Sequence, residues 1–543
     1  MNGEKVIKRL DAMKGQRAPH ESVARACFEV TYPERSQGLV GSSVDATWAQ
    51  QKKAEILDNT ATDSVRMLAS NVMGGMTPAN AVWFAMDVGE ETDDERRWLG
   101  HAAEVVWNGI HSSNYDSQKY EALVDSICAG WMVLFIEETP GTGQPNFQQF
   151  PLGQCYIACS KEGGRVDILY RSFTLTAEQA IERYGDAVSQ KIKDDAADPA
   201  RASQMHEFVM AVEPRSDYRP GSRLARNLPF SSMHVEVSTK QVVRESGFHE
   251  QPFVCPRWMV LPNSPYAIGL VSAALGNIRE LNELLRMKKI ALGRAAAGVY
   301  VAVDDGVLNP RNVRVRGGAV VVANSVDSIK PLPSGADFNA TYAEADLMRA
   351  EIRRLLLADQ IKPVDGPAES ATAVHYRMAL MRQLMGPLYG RFQSEDLSLT
   401  VERCFGIMYR FGRPELGGQP GEPLIDDAPE SLGDQVFRIR YQSPLARAQK
   451  LEDVTAINQL VELAGGMAQM GKPEALDLID AEESLRIASD ALGAPAKVLR
   501  DQKALQAFRD QRAASQQQEQ QQAQQQQLHT MAADATFKRA AAA

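Results

Sequence analysis

No stretch of this sequence approaches the roughly 18 uncharged residues of a membrane-spanning helix. The longest apolar run, Ser126 to Ile136 (SICAGWMVLFI), is closed off by Asp125 and Glu137. It is expected as a buried strand or helix, and no membrane partner is expected. The amino terminus, MNGEKVIKRLDAMKGQR, lacks the apolar core of a secretory signal, which leaves the cytoplasm as the expected compartment. Cysteine is sparse: Cys27, Cys128, Cys155, Cys159, Cys255 and Cys404 form no CxxC pair, so reduced, mostly buried thiols are expected rather than a zinc knuckle or disulfide frame. Positive charge is in deficit, with 59 Lys and Arg against 69 Asp and Glu, a net charge of −10. That balance argues against a protein that clamps nucleic acid by neutralising phosphates. An acidic surface would hold a passing duplex weakly, which suits transit better than storage.

Catalytic signatures are missing or broken. Gly466, Gly471 and Lys472 in GMAQMGKPEA copy the spacing of a phosphate-binding loop, but Pro473 stands where Ser or Thr must place a hydroxyl on magnesium. GTG at Gly141 to Gly143 lacks the third glycine of a dinucleotide fingerprint and reads as a turn. There is no GxSxG and no HExxH, and the histidines (His20, His101, His111, His206, His234, His249, His375, His529) lie far apart. Each reads as a surface or hydrogen-bonded structural residue, without a metal. Neither an enzyme nor a cofactor is expected.

What is present is length and a change of period along it. A chain of 543 residues exceeds a single core, and 44% hydrophobic with 24% charged residues is ordinary for folded protein. To about Ala81 the pattern is helical, with Ile56, Leu57, Val65, Leu68, Ala69 and Val72 along one side. From Ala122 to about Val260, short apolar runs (QCYIA, RVDILYRSF, HEFVMAVEP, HVEVS) divided by Gly and Pro read as an antiparallel sheet with a few helices. A long helix then runs from a cap at Ser264-Pro265 to Gly298, with Val271, Ala274, Leu275, Ile278, Leu281 and Leu285 at helical spacing. Arg279, Glu283, Arg286 and Lys289 are expected on its other face, either solvated or turned to a polyanion or a neighbouring subunit. After Gly298 the period drops to two (VYVAVDDGVL, NVRVRGG, AVVVANSV). From Asn339 a helix returns, with Met348, Ile352, Leu355 and Leu356 on one side and Arg353 among its cations. DQIKPVDGPAESATAVHYR, Asp359 to Arg377, breaks that helix, and a third, carrying Val374, Met378, Met381, Met385 and Leu388, begins near Ser370 or Thr372. Helices are expected again from Leu445 to about Arg512, ahead of a Gln-rich tail.

Helix, small β module, helix, breaker loop, long helix: this order resembles the portal proteins of tailed bacteriophages, in particular the head-to-tail connector family of short-tailed phages. The segment DNTATDSVRMLASNVMGGMTPANAVWF is similar to one in that family, with Asp58, Thr60, Ala61, Leu68, Ala69, Ser70, Thr77, Pro78, Trp83 and Phe84 at matching places. QFPLGQCYIACSKEGGRVDILYRSFTLTAEQA, PFVCPRW, AESATAVHYR, YQSPLARAQK and LGAPAKVLR also resemble family segments, in order along nearly the whole chain. The sequence departs at SPYAIG, where Ala267 stands in place of the glycine of a Tyr-Gly pair.

The resemblance implies a mainly α fold with an α+β wing: a ring-forming portal fold with long stem helices and a small β-rich clip insertion. Its parts would be an N-terminal wing (1–264), a first stem helix (265–298), the clip (299–338), a second stem helix (339–360) and a tunnel loop (361–371). A wing helix with return strands (372–443), crown and barrel helices (444–512) and the tail (513–543) would follow. It implies a dodecameric homo-oligomer at one capsid vertex, at the head-tail junction of the virion, assembled in the host bacterial cytoplasm. Double-stranded DNA would pass through it. A terminase-type packaging ATPase, tail adaptor proteins, and the major capsid and scaffold proteins would be its partners. Lys362, Pro363, Val364, Asp365, Gly366, Pro367, Ala368, Glu369 and Ser370 would form the tunnel loop facing DNA; Arg279, Glu283, Arg286, Lys289 and Arg353 the polar face of the stem; Arg311, Arg314 and Arg316 a clip surface for motor or tail. The alternatives are another structural virion component, of capsid or scaffold type, and a motor ATPase resting on the broken GMAQMGKP loop.

Overall fold

The computed structural model describes residues 2–39, 46–88, 92–219, 221–222, 224–297, 300–303, 324–331, 338–358, 388–432, 438–441 and 444–469, with isolated residues elsewhere. The described chain is mostly helical, with several small antiparallel sheets. It divides into two units, one of residues 1–83 and 105–425, the other of 84–104 and 426–543.

In the first unit, α1 (Gly3–Glu29) is capped by Asn2, whose side chain accepts from the Lys5 amide at 3.1 Å. Val6, Leu10 and Met13 recur every three to four residues, and this stripe packs on the inner face of a sheet through Tyr156, Tyr170, Val209, Met233 and Val235. The Arg17 guanidinium, buried beyond that stripe, donates to the carbonyls of Leu152, Gly153 and Cys155 at 3.1, 2.8 and 2.9 Å. Next come α2 (Ala46–Glu55) and α3 (Thr60–Met76). Val65, Leu68, Ala69 and Val72 are buried on α3. Ile56 and Leu57, expected on the same helical side, lie instead in the link between α2 and α3. The helix breaks there because the Asp58 carboxylate accepts from the Thr60 amide (2.9 Å) and the Leu57 amide donates to Asn282 Oδ1 (2.9 Å).

After β1 (Phe84–Asp87) and α4 (Asp93–Ser112) comes α5 (Tyr115–Ala129). The apolar run from Ser126 to Ile136 is buried throughout, and is both the end of α5 and the start of β2 (Leu134–Glu138). Gly130 makes the change, at φ 92°, and a Cβ on it would lie 2.4 Å from the Ile268 carbonyl carbon. β2 pairs with β3 (Pro145–Gln149). The runs expected as strands are β4 (Cys155–Ala158), β5 (Ile168–Thr176), β6 (Met205–Pro214) and β7 (Phe230–Glu236), and β8 (Val242–Phe248) completes a meander in chain order. Between β5 and β6, α6 (Ala177–Tyr184) and α7 (Gln190–Ala197) are inserted. Tyr184 packs on Phe208 with ring centroids 5.2 Å apart and shares a 2.8 Å hydrogen bond with His234 Nδ1. β9 (Phe253–Val254) adds to the free edge of β2, and β10 (Met259–Val260) pairs with β11 (Ala267–Ile268).

All six cysteines are free thiols, five of them buried and Cys159 half-buried. Burial pushes the Cys27 and Cys155 thiols up to about 12. No described helix is long and apolar enough to cross a membrane. In the second unit, β1 pairs antiparallel with β14 (Arg438–Tyr441), and α11 (Pro444–Gln469) follows. Gly466 lies inside α11, so the decoy phosphate loop does not begin at the end of a strand.

Candidate functional site

The helix that carries the expected stem residues, α8, spans Leu270–Ala297. It starts five residues later than the Ser264-Pro265 cap. Ser264 Oγ instead accepts from the Tyr266 amide at 3.2 Å, and Ala267–Ile268 are spent on pairing with β10. Val271, Ala274, Ile278, Leu281 and Leu285 are buried and Leu275 half-buried, as the spacing requires. Beyond Ala297 the chain forms β12 (Tyr300–Ala302), which pairs with β13 (Ile329–Pro331) in the register Tyr300↔Pro331, Val301↔Lys330 and Ala302↔Ile329. The Val303 amide extends the ladder to the Ser328 carbonyl at 2.9 Å. Then α9 (Phe338–Leu355) packs back on α8. Its buried line is Ala345, Ile352 and Leu356, with Met348 and Leu355 half-buried.

Two polar clasps hold this arrangement. Lys288 Nζ lies 3.2 Å from the Tyr342 ring centroid, a cation–π contact between α8 and α9. Arg349 reaches Asp58 Oδ2 at 2.8 Å and Asp346 at 2.7 Å. α9 closes with the Leu357 amide on the Arg354 carbonyl and the Ala358 amide on the Arg353 carbonyl, a Schellman arrangement that sets Leu357 at φ 58°. The backbone thus leaves the helix before the breaker sequence begins.

Of the expected polar face, Arg279, Arg286 and Lys289 are exposed and Glu283 and Arg353 half-buried. Arg286 forks onto Glu283 at 2.8 and 2.9 Å, and that hydrogen bond lowers the Glu283 carboxyl. At about 100° per residue, Arg279, Glu283 and Arg286 share one side of α8. Lys289 does not: its azimuth is that of Val271 and Ile278, and it is exposed because the buried stripe ends at Leu285. Large apolar side chains are uncovered beyond that point. Met287, Ile290 and Leu292 are 59, 49 and 51% exposed, and Tyr342 and Leu347 on α9 are 50 and 67% exposed. These exposed apolar side chains lie among charged ones on both helices.

The remaining expected positions, Lys362 to Ser370, Arg311, Arg314 and Arg316, and the stripe Val374, Met378, Met381 and Met385, lie outside the described residues. The structure adds what sequence reasoning missed. Helical residues 388–392 run through a single π-turn (Gln393–Leu397) into α10 (Ser398–Arg410). The π-turn brings two consecutive carboxylates, Glu395 and Asp396, into the interior. Glu395 is forked by Arg257, and Asp396 pairs with Lys119 of α5, all four side chains being at most 9% exposed. Arg403 and Arg410 of α10 both hold Glu250. Burial lowers the Lys119 ammonium against the pull of Asp396.

The helix pair α8–α9 is thus closed by a short strand pair, held by Arg349–Asp58 and Lys288–Tyr342, and bears exposed apolar side chains. The chain belongs to the bacteriophage head to tail connecting protein family, whose model matches residues 3–499. It is 26% identical over 537 residues to the portal protein of Salmonella phage epsilon15, covering 94% of this chain and 91% of that one. To the probable portal protein of Bordetella phage BPP-1 it is 25% identical, with 86 and 84% covered. The portal protein of Escherichia phage T7 is 21% identical, with 78% of each chain covered. Among solved structures, the neck of a native GTA particle matches with a TM-score of 0.33 and 12% identity, over 74% of this chain and 86% of that one. Membership supports a portal or head-to-tail connector role in a phage virion.

Proposed function

We propose that this chain is the portal subunit of a short-tailed bacteriophage, assembling as a dodecameric ring at one capsid vertex through which DNA is packaged and later ejected. In this reading α8 and α9 are the stem, the β12–β13 pair is the base of the clip, and residues 361–371 form a tunnel loop. The observation that carries it is the uncovered set Met287, Ile290, Leu292, Tyr342 and Leu347 on the α8–α9 pair. Covering each in a neighbouring copy would contribute roughly 1 kcal/mol or more. Exposed Arg279 and Lys289 on α8 and exposed Glu344 on α9, none of them ion-paired among the described residues, would let one copy's α8 meet the next copy's α9 with opposite charge.

DNA in the channel would meet Lys362 with Asp365 and Glu369 beside it, a charge mixture that keeps phosphate contacts weak. Arg311, Arg314 and Arg316 would face the packaging ATPase or a tail adaptor. Charge reversal at those three should weaken that binding without dissolving the ring, and unchanged binding removes the assignment. Deleting Val364 to Ala368 should leave rings intact and lower the yield of packaged DNA; normal yield removes the loop's role. The reading as a whole is tested by electron microscopy of the purified chain with rotational symmetry left free. Rings with an open channel of about 20 Å or more support it. A closed oligomer without a channel overturns it in favour of another structural virion component.

A further inference from the structure

The connection between β6 and β7, residues 215–229, is fifteen residues long, where antiparallel neighbours need two to five. Connections of this length without structure of their own are uncommon and are usually functional. Its described residues are hydrogen-bonded to one another and include a 3-10 turn, Ala225–Asn227. Past the last strand pair, Pro214↔Phe230, the Arg215 amide donates to the Pro229 carbonyl at 2.7 Å and the Arg219 amide to the Asn227 carbonyl at 2.9 Å. The Ser222 amide returns to the Arg219 carbonyl at 3.2 Å, and Asn227 Nδ2 donates to Ser222 Oγ at 2.9 Å. Arg215 braces the tip by donating to the Ala225 carbonyl at 3.3 Å.

The sequence held out by this scaffold, RSDYRPGSRLARNLP, carries four arginines against one aspartate in a chain whose net charge is −10. Arg219 and Arg226 are exposed and make no ion pair among the described residues. Tyr218 and Leu224 beside them are 47 and 53% exposed. We propose that this hairpin is a docking finger for an acidic segment of a partner protein. The guanidiniums would fork onto its carboxylates, and Tyr218 and Leu224 would cover its apolar side chains. A protein segment fits better than duplex DNA. The finger offers an uncovered leucine and tyrosine along with charge, whereas the acidic body behind it repels a long polyanion beyond the reach of two arginines.

The test uses the full chain and two labelled probes, a peptide of alternating glutamate and leucine and a 20-base-pair duplex, read by fluorescence anisotropy at low and physiological salt. The expected result is peptide binding that Arg219→Glu with Arg226→Glu weakens about tenfold or more, that Tyr218→Ala with Leu224→Ala also weakens, and that duplex does not compete away. All four positions are exposed, so thermal unfolding should not move, which separates lost docking from lost folding. Peptide binding that ignores both double variants overturns the proposal, as does absence of peptide binding. Duplex binding lost in the arginine variant, with no peptide binding, would assign the finger to phosphate instead.

Discussion

Arg349 Nε on α9 donates to Asp58 Oδ2 at 2.8 Å across 291 positions of sequence. The same carboxylate accepts the amide that starts α3, so one side chain fixes both the second long helix and the break between α2 and α3. Burial alone would raise the Asp58 carboxyl, but hydrogen bonds from Thr60 and Arg349 outweigh it and hold it below 3.8. Arg349→Ala should cost about 1–2 kcal/mol in urea unfolding and Asp58→Ala about 2–3 kcal/mol, since it also frees the amide. The Asp58 contribution is present above the ordinary carboxylate pKa and should be lost as pH falls below about 4.

Lys119 and Asp396 are buried as a pair. Lys119→Met alone strands a carboxylate in the interior and should cost about 3–5 kcal/mol, whereas Lys119→Met with Asp396→Leu should fall within about 1 kcal/mol of the parent. Denaturant curves of the two variants decide this. A double variant as unstable as the single would mean that the pair itself, and not desolvation of an orphaned charge, governs the site.

His234 is 5% exposed, and burial, with Arg183, Arg244 and Arg171 nearby, lowers its pKa from 6.5 to about 3. Between those values the unfolded chain takes up a proton that the native ring refuses. Stability should therefore fall as pH drops through that window, by about 1.4 kcal/mol per unit from this residue. His234→Gln should remove about 2 kcal/mol of the difference between unfolding at pH 6.5 and at pH 5.

Met287→Asp with Leu347→Asp should change monomer stability by no more than about 0.5 kcal/mol at such exposed positions, yet abolish rings in sedimentation and electron microscopy. Rings that persist would remove the uncovered apolar set from the interface.

Gly130→Ala should cost at least about 2 kcal/mol in thermal unfolding, because the new Cβ meets backbone at Ile268 while φ stays positive. Gly269 approaches α5 from the other side, where a Cβ would lie 2.4 Å from the Ile127 carbonyl oxygen. The pair sets how closely α5 and the base of α8 come together.

What could be read in the sequence was local. The runs at β4–β7 are short and apolar because those strands, taken together, are buried along most of their length, and Val271 to Leu285 recur every three to four residues because α8 buries one face. What could not be read was set by distant partners. Nothing near Phe84 points to Tyr441, 357 residues on, yet β1 and β14 pair there. Ile56 and Leu57 fit a helical side, but a carboxylate bonded across the fold ended the helix first. Nothing in the sequence around Glu395 and Asp396 signals their burial; only Arg257 and Lys119, each over a hundred residues away, make it tolerable. For the stem, the helical spacing located the buried stripe but not its end, so Lys289 was expected on a face it does not share.

The stripe Val6, Leu10 and Met13 bears on how the chain is made. Its seat is built from strands as far along as Val235. A ribosome adding 5–20 residues per second therefore leaves that helix without its sheet for roughly ten to forty seconds. For that interval the nascent chain displays the apolar ridge of α1 with no sheet to cover it.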